Sequence, residues 1–130
     1  MGIVNWAAVV LAAALALAIS IVWHGRLFPS GRRLHADRVE RGRNRVVTGL
    51  LLLLSAAMLG HNFARIGPAT LLAKPWLYFM QTGGIAFAFI IPAVWLTHRA
   101  NRTEPMRRVT DCLYWLVAYL AMGLVFWALG

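Results

Sequence analysis

The sequence predicts an all-α integral membrane protein, a four-helix bundle that crosses the membrane up-down-up-down with both termini on the non-cytoplasmic side. Three observations support this fold class. Apolar residues make up 61% of the 130 residues, only four side chains are acidic, and the 13 Lys and Arg lie mostly between apolar runs. This composition is unusual for a soluble domain and typical of a small multi-pass membrane protein.

Four apolar runs are long enough to cross a bilayer, whose hydrocarbon core of about 30 Å needs roughly 20 helical residues. We place the helices at residues 3–23, 46–66, 76–97 and 111–129 of a single domain, 1–130. Basic loops at 24–45 and 98–110 and a short outer loop at 67–75 connect these helices. The short outer loop predicts that the second and third helices are antiparallel neighbours.

Glycine and proline residues in the chain agree with these boundaries. Gly67-Pro68 stops the second helix, and Pro92 predicts a kink in the third, because proline cannot continue helical hydrogen bonding. The first run could also be read as a cleaved signal peptide. That alternative requires positive charge before the apolar region, whereas the side-chain cations all follow it, so we expect a retained anchor.

The distribution of positive charge predicts the orientation. Eleven of the 13 cations lie in the first and third loops, which the positive-inside rule places on the cytoplasmic side. We expect the membrane to be a bacterial inner (plasma) membrane. The net charge of +9 could indicate nucleic acid, but no soluble domain is left to bind it. We expect the cations to contact anionic lipid headgroups, and we expect no nucleic-acid partner.

The two halves of the chain show a faint parallel repeat. Trp23-His24 and Arg45-Val-Val-Thr48 in the first helix pair correspond to Trp95, His98 and Arg108-Val-Thr-Asp111 in the second. Duplication would produce this pattern. Tryptophan spacing imposed by membrane thickness would produce it equally well, so both explanations stay open.

Short motifs along most of the chain resemble the bacterial four-helix membrane family known as domain of unknown function 1761. They are Asn5-Trp6-Ala-Ala-Val9, Leu27-Phe28, Pro92, Asp111, Tyr114-Trp115-Leu-Val117 and Met122-Gly123. The chain departs from the family pattern at Ala18-Ile-Ser20 and at Trp23-His24, near the cytoplasmic end of the first helix. The resemblance implies a fold and a membrane location, and it implies no activity.

Five polar side chains share one predicted depth near the outer surface: Asn5, His61, Asn62, Arg65 and Gln81. Helix geometry places His61 and Gln81 roughly 8 Å below the outer ends of their helices. Our hypothesis is that this outer polar cluster binds an electron-rich group, such as a lipid phosphate, a quinone carbonyl or a cofactor carboxylate. The alternative is that the amide and imidazole groups bond across helices while Arg65 extends to the headgroups.

The remaining chemistry-bearing residues indicate no catalytic or metal site. The four histidines, His24, His35, His61 and His98, form no HxxxH or HExxH motif and no cluster with Cys112, so we expect no metal site. A haem held by His24 and His98 is an alternative, and the sequence otherwise identifies no cofactor.

Asp111 opens the predicted fourth helix, where we expect it to cap free amides or to pair with Arg107 or Arg108. No predicted helix carries an acid deep inside, which argues against a proton-coupled pump. No Ser-His-Asp set, phosphate-binding glycine loop or carboxylate pair can be placed on one side of the membrane, so we expect no enzymatic activity.

These observations favour a non-enzymatic accessory or structural subunit. It would pack through small-residue helix faces against other membrane subunits or against further copies of itself. The alternative is a small transporter or lipid-handling protein that uses the outer polar cluster. A third possibility is a quinone- or haem-binding redox subunit.

Overall fold

A computed structural model describes residues 2–28 and 38–129, apart from the side chains of Arg38 and Arg41. Every regular element in these residues is helical. Four helical segments are long and apolar enough to cross a membrane: Trp6–Leu27, Gly42–Ile66, Trp76–Ala100 and Pro105–Leu129. The all-helical fold with four candidate membrane spans is therefore confirmed.

The first span begins with α1, Trp6–Val22, and continues as a π-helical turn, Trp23–Leu27. Asn5 starts α1 because its side-chain oxygen accepts the Ala8 N–H at 3.1 Å, which satisfies one of the free amides of the first turn. In the π turn, the N–H of Phe28 bonds to the carbonyl of Trp23 at 2.8 Å. Phe28 leaves helical geometry with φ −134° and ψ 68°, as expected for a residue that precedes a proline.

The second span lies within α2, Arg38–Ile66, which begins inside the basic segment that we predicted as loop. Gly67 ends it with φ of 94°, a left-handed conformation that glycine adopts without strain. Pro68 then begins a short helix, α3, Pro68–Ala73, because a first-turn proline loses no intrahelical hydrogen bond. The predicted outer loop at 67–75 is therefore largely helical.

The third span contains α4, Trp76–Ile85, a second π-helical turn, Ala86–Ile90, and α5, Ile91–Ala100. In this π turn the N–H of Ile91 bonds to the carbonyl of Ala86, five residues back. Pro92 follows directly and supplies no N–H, so the wider turn lies where a regular α-helix would clash with the proline ring. The irregularity that we predicted at Pro92 is thus a π-helical turn just before the proline.

The fourth span is α6, Pro105–Leu129, which begins before the predicted start at residue 111. Pro105 suits a first-turn position. Asp111 consequently lies in the second turn of α6 rather than at its N-cap. The expectation that Asp111 caps the helix is wrong, because the helix has already begun when the chain reaches it.

Helix α1 lies between α2 and α6, and α6 also packs against α4 and α5. The main packing partner of α2 is α1 rather than α4, contrary to the expectation from their short connection. Helices α2 and α4 do meet through Phe63 and Tyr78, whose ring centroids are 4.8 Å apart. Helix α2 is therefore packed less closely against the third span than against α1.

Small residues allow the closest approaches between helices. Ala8, Ala12 and Ala16 of α1 are fully buried. A Cβ at Gly60 of α2 would lie 2.8 Å from Val9, so glycine is required for this contact. The small residues of α1 are thus used for packing against neighbouring helices of the same chain.

Candidate functional site: a polar cavity at the arginine-rich end

Three ionisable side chains from three different spans meet near the arginine-rich end of the bundle. The Nε2 atom of His98 lies 2.7 Å from Oδ2 of Asp111, and Nε2 of His24 lies 3.5 Å from Oδ1 of the same carboxylate. The three side chains are only 13–23% exposed. We call this cluster the His–Asp–His triad. The sequence-based pairing of Asp111 with Arg107 or Arg108 is wrong, because two imidazoles occupy both carboxylate oxygens.

Irregular backbone places these groups. His24 belongs to the first π turn, and His98 follows the second π turn in α5. Each residue in an α-helix advances the side-chain direction by about 100°, so a wider turn redirects the residues around it. Asp111 reaches the triad because it lies inside α6, one turn beyond Arg107 and Arg108.

The hydrogen-bond geometry indicates where the protons lie. Nδ1 of His24 is 3.1 Å from the backbone carbonyl of Ser20, which can only accept, so Nδ1 carries a hydrogen. Nε2 of the same ring then faces a carboxylate oxygen. His98 donates its Nε2–H to Asp111, which leaves its Nδ1 outside this contact. The assignment of hydrogens follows from the acceptors around each ring.

A cavity of about 380 Å³ opens beside the triad, and all four spans contribute to its lining. Its polar and aromatic lining residues are Ser20, His24, Thr48, Thr97, His98, Asp111, Tyr114 and Trp115. A second cavity of about 210 Å³ adjoins it, and His24 and Asp111 line both cavities. His24 and Asp111 therefore lie where the two cavities adjoin, and the lining of the second also includes Glu104 and Arg107.

Aromatic rings support the triad on the side of α1 and α6. The ring of Tyr114 packs edge-on against His24, with centroids 4.9 Å apart, and its hydroxyl is 3.5 Å from the carbonyl of Ala16. Trp23 packs against Phe28 and Tyr114. Its Nε1 atom is buried without a hydrogen-bond partner among the described residues. The contact with Tyr114 helps to hold the His24 ring in place.

The arrangement does not match a hydrolase or a metal centre. Ser20, His24 and Asp111 do meet at one end of the bundle, contrary to our expectation that no such set could form. However, His24 contacts the backbone carbonyl of Ser20, so the serine hydroxyl is not the group held for activation. No group of three or more His, Cys, Asp or Glu side chains in residues 2–28 and 38–129 is arranged to hold a metal ion.

The same geometry disfavours a haem between His24 and His98. An axial ligand must direct a free ring nitrogen at the iron. Both Nε2 atoms instead face Asp111, and Nδ1 of His24 contacts Ser20. What the cluster can do chemically is hold, accept and release protons next to a polar cavity.

A family model described as a protein of unknown function, DUF1761, matches residues 7–127, nearly the whole chain. The chain belongs to this family. The resemblance seen in the sequence is thereby confirmed. No curated protein and no solved structure matches the chain. Three of the residues on which that resemblance depends, Asp111, Tyr114 and Trp115, line the larger cavity of this DUF1761 protein.

At the opposite end, the structure gives the five residues of the outer polar cluster separate surroundings. Asn5 caps α1 and donates its Nδ2–H to the carbonyl of Leu129 at 2.9 Å, which joins the start of α1 to the end of α6. His61 is exposed, with Nδ1 at 2.8 Å from the Ala57 carbonyl and its ring edge-on to Trp6. Arg65 is exposed, whereas Asn62 and Gln81 are half-buried.

A small cavity of about 90 Å³ near this end includes Asn5 but not the other four members of the cluster. Within the described residues, no hydrogen bond or ion pair joins two of the five side chains. Among the described residues of the DUF1761 chain, ionisable side chains from different spans contact one another at the arginine-rich end.

One signal in the sequence pointed to the triad. The internal repeat placed a histidine soon after a tryptophan in each half, His24 directly and His98 three residues later, and it aligned Thr48 with Asp111. All four of these residues line the larger cavity of the DUF1761 protein. The repeat therefore identified positions that share one depth, although it could not show that the side chains turn toward each other.

Proposed function

We propose that this DUF1761 protein is a non-enzymatic multi-pass protein of the bacterial inner membrane that binds a small amphiphilic molecule in its polar cavity. It would act as a small transporter or lipid-handling protein. The observation that supports this proposal is the convergence of all four spans on a cavity that contains the His–Asp–His triad.

The energetic argument starts from the cost of charge in a membrane. Ionisable side chains within membrane spans are costly, and where they occur they commonly mark substrate or ion pathways. Helices could be joined more cheaply by apolar packing or by hydroxyl groups. The cavity volume of about 380 Å³ falls within the usual range for small-molecule sites. A charged cluster next to a cavity of this size favours ligand binding over a purely structural role.

The packing suggests how an amphiphile would enter. Thr48 of α2 and Thr97 of α5 both line the cavity, while α2 packs mainly against α1. The boundary between the second and third spans is therefore the weakest side of the cavity. An amphiphile could enter there from the bilayer, with its polar group toward the triad and its apolar part against exposed residues such as Leu51 and Leu96.

The proposed orientation places the cavity at the cytoplasmic face and both termini outside, as positive charge predicts. Single cysteines in a Cys112→Ala background test it. Met106→Cys should react with a membrane-impermeant maleimide only after the inner membrane is broken. Thr70→Cys should already react in spheroplasts, whose inner membrane is still sealed. Both parent side chains are exposed. The reverse pattern would overturn the orientation.

Native mass spectrometry in mild detergent tests ligand binding. We expect the parent protein to retain a lipid or another small molecule that is lost from Asp111→Asn and from His24→Gln. The matched control is His61→Gln, because His61 also makes an imidazole contact with the carbonyl four residues earlier but lies outside the cavity. Equal retention by all four proteins would refute the cavity as a binding site.

The outer polar cluster is tested in the same measurement. His61 and Arg65 are exposed and lie one helical turn apart on α2. We therefore expect His61→Ala/Arg65→Ala to retain the bound molecule. Loss of the molecule from this variant, with retention by Asp111→Asn, would show that the outer polar cluster is the binding site instead.

An accessory-subunit or homo-oligomer role is the second candidate, and the third span favours it. This span has the smallest buried share of the four, and Gly84 of α4 is exposed with open space around it. Small residues on an exposed helix face permit close approach of another helix. Light scattering of the detergent-solubilised protein should then show an assembly that Gly84→Leu dissociates. A monomeric parent protein would exclude a homo-oligomer.

A further inference from the structure

We propose that the His–Asp–His triad is a proton-binding site that holds one exchangeable proton between His24 and Asp111. Release of this proton would accompany ligand binding in the larger cavity. The inference deepens the proposed function by naming the coupled ion, and it rests on that function only for the link to a ligand. It replaces the argument from the sequence against proton coupling, because the early start of α6 places Asp111 within the fourth span.

The atoms that face each other carry the argument. Nδ1 of His24 must donate to the carbonyl of Ser20, so in a neutral ring Nε2 would present a lone pair to Oδ1 of Asp111 at 3.5 Å. Two acceptors at this separation repel each other. A proton on Nε2 converts this repulsion into an ion pair, and an adjacent carboxylate stabilises the charged imidazole.

His98 completes the site without competing for that proton. It donates its own Nε2–H to the other carboxylate oxygen, Oδ2, at 2.7 Å. The carboxylate thus has one N–H donor on His98 and one position that a mobile proton on His24 satisfies. Release of this proton makes the net charge of the two imidazoles and one carboxylate more negative by one unit.

The other charged and titratable groups described near His24 come from its own π turn, from α6 and from the segment before α6. Asp111 and Tyr114 face it from α6, Glu104 and Arg107 line the adjoining cavity, and Arg26 is exposed on the same π turn. Glu104 and Arg107 carry opposite charges, so they do not by themselves select one protonation state of His24. The direct carboxylate contact is the dominant local influence.

The place of His24 and Asp111 where the two cavities adjoin suggests how the proton could leave and how its release could be linked to ligand binding. His24 and Asp111 line both the larger cavity and the adjoining one next to Arg107. A ligand group that takes the place of His24 at Oδ1 of Asp111 would leave the proton on Nε2 without its partner. The proton would then pass to water through the adjoining cavity. Ligand binding and proton release would thereby be coupled.

Nitrogen-15 spectra of histidine-labelled protein in lipid nanodiscs at pH 7 test the proton directly, with His→Gln variants providing the assignments. We expect both ring nitrogens of His24 to be protonated and only one nitrogen of His61. These two rings make the same contact to the carbonyl four residues earlier, but His61 has no carboxylate partner among the described residues.

Asp111→Asn should lower the doubly protonated fraction of His24 by about tenfold, because the negative charge that stabilises it is removed. The His61 signal should not change. A singly protonated His24 in the parent protein would overturn the inference, and so would a doubly protonated His24 that persists in Asp111→Asn.

A second variant keeps the test decisive if Asp111→Asn does not fold. His98→Gln leaves the contact between His24 and Asp111 in place, so His24 should remain doubly protonated, and its loss there would contradict the inference. The outcomes for the two proposals are separable. A bound molecule without a shared proton would refute only this inference, whereas a shared proton without any bound molecule would refute only the proposed function.

Discussion

Gly123 of α6 offers the sharpest test of the packing described above. A Cβ at this position would lie 2.5 Å from Oγ1 and 3.2 Å from Cγ2 of Thr82, and 3.2 Å from the carbonyl oxygen of Tyr78. Thr82 is fully buried, and its hydroxyl donates to that carbonyl at 2.9 Å. Threonine has few rotamers in a helix, so Thr82 has little freedom to move away. Gly123→Ala must therefore separate α6 from α4 or displace the Thr82 side chain.

We expect Gly123→Ala to lower the free energy of unfolding by about 1–3 kcal/mol, the usual cost of overpacking a core. Equilibrium unfolding in mixed micelles, followed by circular dichroism, measures this change. The matched control is Gly84→Ala, where a Cβ would meet nothing within 4 Å. Because alanine is the better helix former, this control should be neutral or more stable by up to about 1 kcal/mol.

A double-mutant cycle decides whether the proposed contact is the cause. Thr82→Ala removes both threonine atoms that the new Cβ would meet, so Thr82→Ala/Gly123→Ala should lose less stability than the sum of the two single variants. We expect a coupling of about 0.5–3 kcal/mol. Additive losses, or a Gly123→Ala variant as stable as Gly84→Ala, would refute the close approach of α6 to α4.

Three further predictions concern a cap, the triad and a π turn. Asn5→Ala should cost about 1 kcal/mol in the same unfolding measurement, because it removes the α1 cap and the bond to Leu129; a loss below 0.3 kcal/mol (about a third of a usual cap) would contradict both contacts. Asp111→Asn should cost about 1–3 kcal/mol, the usual contribution of a hydrogen bond to a charged group, and an unchanged stability would indicate that the triad does not join the helices. Pro92→Ala should release the second π turn and rotate the residues after it by about 100°, so that His98 loses its contact with Asp111; an unchanged His98 nitrogen-15 signal in nanodiscs would disprove this.

The fold could be predicted well because its signals are local. Twenty or so consecutive apolar residues can cross a bilayer only as a helix, since the backbone must satisfy its hydrogen bonds internally. Gly67-Pro68 and Pro92 act through their own backbone restrictions, so their effects were visible in the sequence. The start of α6 was harder to predict from the sequence, because Pro105 and the basic residues after it are compatible with either a loop or a first helical turn.

The site could be predicted only in part because its members are far apart in the chain. His24, His98 and Asp111 each have an ordinary explanation when taken alone. The outer polar cluster attracted attention because His61, Asn62 and Arg65 are adjacent in sequence, but adjacent residues on a helix point in different directions. In the structure His61 is exposed and Asn62 is half-buried.

The sequence by itself determined that this chain is helical, has four spans and belongs with the DUF1761 proteins, because hydrophobic length and short motifs are properties of continuous segments. Only the tertiary structure decided that α1 lies between α2 and α6, and that two histidines face one aspartate beside a cavity. The physical reason is that the direction of a side chain around its helix depends on the geometry of every turn before it. Two π-helical turns and an early start of α6 set the final directions of His24, His98 and Asp111, and none of these three shifts is encoded by the triad residues themselves.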